Sequence, residues 1–272
     1  MHLDRLGISA VTTPQWSAWE DAARYALSGI HGIGLWRNKL ESVPLESYHN
    51  VLVQHSLTVT NLCFTGQFTL GVDQAVTDGI QALNMASQLQ ASVVLVISGP
   101  IGNLTMAEAD VRVIEGLRQL APEAKRRGLR LALEALHPMD MTQWTVIPTV
   151  HKALDIIDAV SSEHVGLMLD LYNSWWDPTL NEAIARAGER ILAVQIADWR
   201  NPTRSFTDRT IPGDGVAPLS TFIRWIEDSG YKGFYDLEIF SDEIWSMKDQ
   251  YQHVIDQTKQ WWERLEDRTN GV

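Results

Sequence analysis

Four oxygen-bearing side chains stand at the ends of four successive apolar runs in the second half of the chain. They are Glu134, Asp170, Gln195 and Glu238. A carboxylate that ends a buried run is costly unless something binds it. If these runs are neighbouring strands of a parallel barrel, the four side chains converge at its C-terminal mouth. Carboxylate and amide oxygens are hard donors, so the pattern predicts one divalent ion, Mn²⁺ or Mg²⁺, bound by these four residues.

A further candidate for chemistry is His137, which lies three residues beyond Glu134 in a predicted loop. Histidine changes protonation near neutral pH, so it can serve as a base. It can equally donate a hydrogen bond to a substrate or pack within the loop. The sequence leaves these roles open, and we retain His137 as a candidate catalytic residue.

The elements that would position these residues follow a regular alternation. Short, continuously apolar runs alternate with longer amphipathic segments, which is typical of a parallel sheet covered by helices. The predicted strands are residues 6–10, 32–36, 57–62, 92–98, 129–134, 165–170, 191–196 and 233–239. The predicted helices include residues 16–27, 72–89, 106–127, 219–228 and 244–266. We predict a single (β/α)8 TIM barrel domain spanning residues 1–272. A doubly wound open sheet is the alternative, although no glycine-rich phosphate turn follows an early strand.

The composition of the chain limits the classes of molecule that the protein is expected to bind. The chain has 272 residues and a formal net charge of -12, which argues against nucleic acid because phosphate binding needs a basic face. The one cysteine, Cys63, excludes an intrachain disulfide. No apolar run approaches the roughly 20 residues that span a bilayer. The N-terminus lacks the layout of a signal peptide. We therefore expect a cytoplasmic protein without a membrane partner.

Several motifs in the second half carry a family resemblance. They are L-E-A-L-H-P at 133–138, D-L-Y-N-S-W-W-D-P at 170–178, Q-I-A-D-W at 195–199, G-D-G at 213–215 and L-E-I-F at 237–240. With G-L-W-R-N-K at 34–39, the chain resembles the xylose isomerase-like TIM barrel superfamily. Within it, the chain is similar to the sugar (phosphate) isomerase/epimerase group. The resemblance covers essentially the whole chain and implies the fold and the metal site predicted above.

The same resemblance implies roles for individual residues. Glu134 and Glu238 would form the acid/base pair that moves a proton on either side of an enediolate. The chain departs from the family pattern twice, with Gln195 where many relatives have histidine and with Asn173 in place of the histidine of Asp-x-x-His. An amide can still coordinate an ion through its oxygen, but Asn173 cannot exchange a proton near neutral pH.

Side chains after several strands are candidates for binding substrate. Aromatic faces suit the apolar faces of a sugar ring, and charged or amide groups suit its hydroxyls. The candidate substrate-binding residues are Trp36, Arg37, Asn173, Trp175, Asp198 and Arg209. Each tryptophan can instead pack within its loop, and Arg209 can instead form a salt bridge.

Taken together, these observations predict a metal-dependent isomerase or epimerase of a keto- or aldo-sugar. The alternative is a lyase on a 3-oxo-glycoside, which uses the same enolate. That alternative is similar to the catalytic subunits of C-glycoside deglycosidases, which work with a small β-rich partner subunit. A homo-oligomer is the other expected assembly. A DNA-repair endonuclease lacks support, because the strand ends are nearly free of histidine and the charge is -12. A non-catalytic sugar-binding barrel remains a further alternative.

Overall fold

All eight predicted strands form, and they pair in parallel into one closed barrel. The computed structural model describes residues 3–269. Its strands are β1 (Leu6–Ser9), β2 (Gly32–Trp36), β3 (Thr58–Gly66), β4 (Val93–Ile97), β5 (Arg130–Glu134), β6 (Val165–Asp170), β7 (Ile191–Ile196), β8 (Asp198–Trp199), β9 (Arg209–Thr210) and β10 (Tyr235–Leu237). The barrel runs β1-β10-β7-β6-β5-β4-β3-β2, whereas β8 and β9 pair separately as an antiparallel ladder. The TIM barrel prediction is therefore confirmed.

Helices follow the strands and cover the outside of the barrel. They are α1 (Ala18–Leu27), α2 (Leu45–Gln54), α3 (Val72–Gln88), α4 (Met106–Arg126), α5 (Val150–Val160), α6 (Leu171–Ser174), α7 (Leu180–Ala187), α8 (Leu219–Asp228), α9 (Asp242–Ser246) and α10 (Tyr251–Thr269). Capping boxes start two of them, with Ser17 and Glu20 at α1 and Thr105 and Glu108 at α4. Among the described residues, no helix is long and apolar enough to cross a membrane.

The prediction of one continuous helix over residues 244–266 is wrong. Two helices, α9 and α10, occupy this part of the chain, with a short 3-10 turn between them. The Ser241 hydroxyl accepts a hydrogen bond from the amide of Ile244 and so starts α9 at the barrel mouth. Met247 then leaves helical geometry, with φ -113° and ψ 69°, which ends α9. The apolar spacing continues through this break, which is why the sequence pattern does not reveal it.

Burial on both faces explains the apolar composition of the strands. Their outward side chains pack on the helices, and their inward side chains fill the barrel. The inner cluster consists of small and aliphatic residues: Cys63, Val93, Leu95, Ile97, Ala132, Met168 and Ala193. Together they close the barrel below its C-terminal mouth.

Strand register places the polar side chains at that mouth. Glu134 pairs with Met168 and Asp170 pairs with Gln195, so the ends of β5, β6 and β7 lie side by side. Gln195 in turn pairs with Asp236 of β10. Asp236 fits inside the barrel because Gly7 has no side chain: a Cβ there would lie 1.9 Å from the Asp236 Oδ1 atom. The register therefore brings the predicted donors to neighbouring positions.

Candidate active site

The four predicted donors lie together at the mouth, and hydrogen bonds link them. Glu134 ends β5, Asp170 ends β6, Gln195 lies in β7, and Glu238 follows β10. All four are at least 96% buried, since their exposed fractions are 4%, 0%, 0% and 3%. Gln195 donates directly to Glu238, and the other links run through two nitrogen donors, the Asn173 amide and the Arg209 guanidinium.

Arg209 supplies positive charge at the centre of this group. Its Nη1 atom donates to Asp170 Oδ2 at 2.9 Å, to Glu238 Oε2 at 3.3 Å and to the Glu238 carbonyl at 3.1 Å. The guanidinium carbon lies 4.4 Å from the centre of the Tyr172 ring and 4.8 Å from that of Phe240. The guanidinium thus lies between carboxylates and aromatic faces, and these contacts fix its orientation.

Asn173 lies where the resemblance leads one to expect a histidine. Its Nδ2 atom donates to Glu134 Oε1 at 3.1 Å and to Asp170 Oδ2 at 2.8 Å. Its Oδ1 atom accepts from the backbone amide of His137 at 3.4 Å. Asn173 therefore joins two acids and also anchors the loop after β5, and it lines the cavity beside them.

Hydrogen bonds fix the orientation of the Gln195 amide. Its Nε2 atom donates to Glu238 Oε1 at 2.6 Å and approaches the Cys63 sulfur at 4.0 Å. The Cys63 thiol in turn donates to Asn61 Oδ1 at 3.1 Å, and Asn61 Nδ2 donates to Asp236 Oδ2 at 2.6 Å. The nitrogen is therefore held on the Glu238 side. The Gln195 Oε1 atom is buried and has no hydrogen-bond partner.

Burial dominates the electrostatics of the acidic groups. Removal from water raises the pKa of Glu134 well above its ordinary value, and the neighbouring charges of Asp170 and Glu238 raise it further. Burial also raises the pKa of Glu238 to about 8, although Arg209 opposes the shift. The pKa of Asp170 is raised as well, because loss of hydration outweighs the salt bridge to Arg209. A carboxyl group with the pKa of Glu238 can hold or release a proton near neutral pH.

The donor set has the chemistry that a divalent ion requires. Three carboxylates and one amide offer oxygen atoms, and the unpartnered Oε1 of Gln195 is a buried acceptor suited to a cation. Across the described part of the chain, however, no group of three or more His, Cys, Asp or Glu side chains is arranged so that it could hold a metal ion. The carboxylates instead contact Arg209 and Asn173. A bound ion would thus share its ligands with these two nitrogen donors.

A cavity of about 150 Å³ that opens to solvent lies above these residues. Its polar side consists of Glu134, Asp140, Asn173, Arg209 and Glu238, which come from the arc of the barrel between β5 and β10.

The opposite side of the cavity is apolar, and we call it the apolar wall. The apolar wall consists of Trp36, Phe64, Leu95, Ile97, Leu136 and Trp144. The two sides of the cavity therefore differ in chemistry.

Several predicted residues lie outside the lining of this cavity. The His137 ring packs against Trp199 and Trp176, with ring centres 5.1 and 5.7 Å away. Its Nδ1 atom accepts a hydrogen bond from the backbone amide of Met139 at 3.2 Å, and burial lowers its pKa. Trp175 packs against Trp199 at 5.4 Å. His137 and Trp175 therefore pack within the loops at the barrel mouth. The catalytic role predicted for His137 and the substrate-binding role predicted for Trp175 stay predictions.

Arg37 and Asp198 also make contacts within the protein. Arg37 forms a two-point salt bridge with Asp78, both distances being 2.8 Å, and borders a second cavity next to the first. Asp198 accepts hydrogen bonds from the backbone amides of Trp199, Gly213 and Ala217 at 2.8 to 3.0 Å. Asp198 therefore holds the loop after β7 in shape. Trp36 does line the main cavity, where its indole nitrogen donates to Ser9 at 2.8 Å.

The structure adds residues that the sequence analysis missed. Asp140 is 4% exposed and lines the cavity, and burial raises the pKa of its carboxyl to about 6. Ser9 donates to Glu238 Oε1 at 3.2 Å from β1, the strand that pairs with β10. Asp140 lies six residues after Glu134 in the H-P-M-D segment, so its position after β5 offered a signal. Nothing along the sequence placed Ser9 next to Glu238.

Comparison with known proteins relates the whole chain to one family. The sequence model described as xylose isomerase-like TIM barrel matches residues 20–265. A crystal structure of a Sinorhizobium meliloti protein superposes with a TM-score of 0.91 at 32% identity, and the match covers 97% of this chain and 99% of that one.

Two characterised relatives match about half of the chain. A 3-dehydroshikimate dehydratase from Pseudomonas aeruginosa is 33% identical over 140 residues, which are 47% of this chain and 20% of the dehydratase. A D-psicose 3-epimerase from Enterocloster bolteae is 26% identical over 130 residues, which are 47% of this chain and 40% of the epimerase. The chain thus spans less than half the length of either enzyme.

Proposed function

Because the chain belongs to the xylose isomerase-like TIM barrel family, we propose that it is an enzyme that isomerises or epimerises a keto- or aldo-sugar through an enediolate. One observation carries the proposal. Glu134 and Glu238 are buried carboxyl groups that line the same cavity, separated around the barrel by β6 and β7. Two such groups can act on different faces of one substrate.

The glutamates supply the proton transfer. One glutamate removes the proton from the carbon next to the carbonyl, and the other returns a proton to the neighbouring carbon or to the opposite face. A base works best when its pKa is near the working pH, and burial raises the pKa of both groups in that direction. His137 remains a third candidate from the sequence alone.

Neighbouring nitrogen donors handle the charge that develops on oxygen. Arg209 lines the cavity, where N–H groups of its guanidinium can bind the carbonyl and hydroxyl oxygens of a sugar. We further propose that Glu134, Asp170, Gln195 and Glu238 hold one divalent ion, Mn²⁺ or Mg²⁺. When bound, such an ion supplies Lewis acidity next to those oxygens.

One observation keeps a second function in view. The apolar wall can accommodate the non-sugar part of a glycoside. In a lyase, one glutamate removes the proton next to the ketone of a 3-oxo-glycoside, the C–H electrons form the enolate, and the enolate expels the aglycone from the β carbon. The aglycone leaves with the bonding pair and takes up a proton. This reaction needs one base only, and a small partner subunit belongs to this alternative.

Hydrogen exchange with solvent tests both functions. The protein, supplied with Mn²⁺, is incubated in D₂O with ketoses, inositol ketones and 3-oxo-glycosides, and each compound is then examined by NMR. We expect deuterium at a carbon next to the carbonyl of at least one compound. Glu238→Gln should reduce the exchange, and Glu46→Gln, at an exposed position on α2, should not. Exchange that persists undiminished when both Glu134 and Glu238 are replaced by Gln would reject the proposal.

A further inference from the structure

The apolar wall is built from rings and aliphatic side chains that curve around half of the cavity. Trp36 ends β2, Phe64 lies in β3, and Leu95 and Ile97 lie in β4. Leu136 and Trp144 complete the wall from the segment after β5. The wall thus faces the charged side of the cavity across the barrel mouth.

Polar atoms near the wall are already paired with other protein groups. The indole nitrogen of Trp36 donates to Ser9 at 2.8 Å. The Phe64 carbonyl accepts from Arg37 at 3.0 Å, and the Cys63 thiol donates to Asn61 at 3.1 Å. A sugar hydroxyl pressed against this wall would lose water without gaining these atoms as partners. Burying a hydroxyl in that way costs roughly 1–3 kcal/mol.

The aromatic members of the wall form a connected set. Trp36 contacts Phe64 edge to face with ring centres 6.0 Å apart, and Phe64 contacts Trp144 at 6.2 Å. Trp36 also contacts Phe240 at 5.5 Å. Rings in such edge-to-face arrangements form favourable contacts with a further flat ring. The wall is therefore suited to a planar apolar group.

Two apolar side chains extend this surface to the cavity rim. Phe206 and Met139 line the cavity, yet they remain 43% and 40% exposed. A ligand that reached them would remove their apolar surface from water, which is favourable.

We propose that the substrate carries a flat apolar substituent, such as an aryl group, which packs on the apolar wall while its sugar part faces the acids and Arg209. The inference rests on the proposed function, since it places the sugar part of the substrate on the polar side of the catalytic cavity and the substituent on the apolar wall. It narrows the substrate class from free sugars to sugar derivatives with an aromatic or similarly flat group.

Matched ligands test the proposal. The dissociation constants of methyl and phenyl 3-oxo-glucosides are measured by isothermal titration calorimetry on the full chain. Both carry the same sugar ketone, so their ratio reports the apolar contact. We expect the phenyl compound to bind at least about tenfold more tightly, from the apolar area that its ring buries. Equal affinity, or no detectable binding of either compound, would overturn the proposal.

Wall variants locate the substituent. Phe64→Ala and Trp144→Ala should each reduce the phenyl-to-methyl ratio, and Trp144→Phe should largely preserve it because a ring remains. Trp19→Ala is the matched control, since Trp19 is 38% exposed and packs on Tyr48 outside the cavity, so the ratio should persist. An unchanged ratio in both wall variants would place the ring elsewhere and overturn the inference.

Deuterium exchange separates this inference from the proposed function. If the methyl compound exchanges the proton next to its ketone but binds as tightly as the phenyl compound, the proposed function stands. The inference that the substrate carries a flat apolar substituent is then refuted. If the phenyl compound binds more tightly in a wall-dependent way and neither compound exchanges, the wall is supported and enolisation is rejected.

Discussion

Replacement of Arg209 by Met tests how the site balances its buried charges. Arg209 is 7% exposed, and its guanidinium donates to Asp170 and Glu238 through a single nitrogen. Methionine retains the unbranched apolar stem of arginine but carries neither its charge nor its N–H donors. The substitution therefore mainly leaves a group of buried carboxylates without their cation.

The size of the effect follows from burial. Removing one partner of a buried ion pair costs roughly 3–5 kcal/mol, because the remaining charge stays away from water. Loss of the contacts between the guanidinium and the two aromatic rings adds about 0.5–2 kcal/mol. We therefore expect Arg209→Met to lower the free energy of unfolding by about 3 kcal/mol or more. For a domain of this size, that corresponds to a fall of roughly 5 °C or more in melting temperature.

Chemical denaturation with and without Mn²⁺ measures both parts of this reasoning. Without added ion, the variant should unfold at a clearly lower denaturant concentration. With Mn²⁺, it should regain more stability than the wild type does, because removal of the guanidinium takes a positive charge away from the proposed ligands. Calorimetric titration should then give a lower dissociation constant for Mn²⁺ in the variant.

Arg204→Met is the matched control. Its side chain is 55% exposed and pairs with Asp208 and Glu243, while Arg200 also contacts Asp208 at 3.0 Å. Asp208 is buried but keeps Arg200 as a partner, so we expect a smaller change than in Arg209→Met. If Arg209→Met matches the wild type in stability, then Arg209 does not balance the buried carboxylates. If it also matches the wild type in its response to Mn²⁺, then Arg209 and the ion do not share these carboxylates.

Four further predictions concern the proton-transfer groups and the donor set. Glu238→Gln and Glu134→Gln should each lower solvent deuterium exchange, measured by NMR, by about 10² or more, and full exchange in both would contradict glutamate bases. Gln195→His should shift ion preference toward Co²⁺ or Zn²⁺ in competitive metal titrations, and unchanged selectivity would remove Gln195 from the ligand set. His137→Ala should lower the melting temperature through lost loop contacts; a fall in turnover of about 10²–10⁴ without that loss would instead identify a proton-transfer group. Burial raises the pKa of Asp140 from 3.8 to about 6, so the protonated carboxyl group stabilises the fold at low pH. This contribution to the free energy of unfolding declines as pH rises from about 4 to about 6. Asp140→Asn should remove up to about 3 kcal/mol of that decline, measured by denaturation curves recorded across this pH range.

Strand order and the neighbourhood of the four donors were predictable from the sequence. Continuous apolar runs alternate with amphipathic segments, and this alternation reflects burial on both faces of each strand. Glu134, Asp170 and Gln195 follow such runs, and parallel strands all end at the same edge of the barrel. Local patterns therefore determined the fold class and brought the donors together.

Local sequence patterns did not predict the break between α9 and α10. They also did not predict the small ladder of β8 and β9. In the ladder, Asp198 pairs with Thr210 and Trp199 pairs with Arg209. This pairing carries Arg209 back over the mouth, where its amide also donates to the Phe240 carbonyl at 2.9 Å. The intervening loop has no periodic pattern, so only the folded chain places the guanidinium between Asp170 and Glu238.

The sequence by itself thus determined the barrel and the edge at which its acids meet, because periodic burial is written into neighbouring residues. The tertiary structure decided how those acids are partnered, which way the Gln195 amide points, and that one half of the cavity is apolar. These features depend on contacts such as Ser9 with Glu238 and Asn61 with Asp236, which are 229 and 175 residues apart along the chain. Contacts of that kind arise when the barrel closes β1 on β10, and no local pattern encodes them.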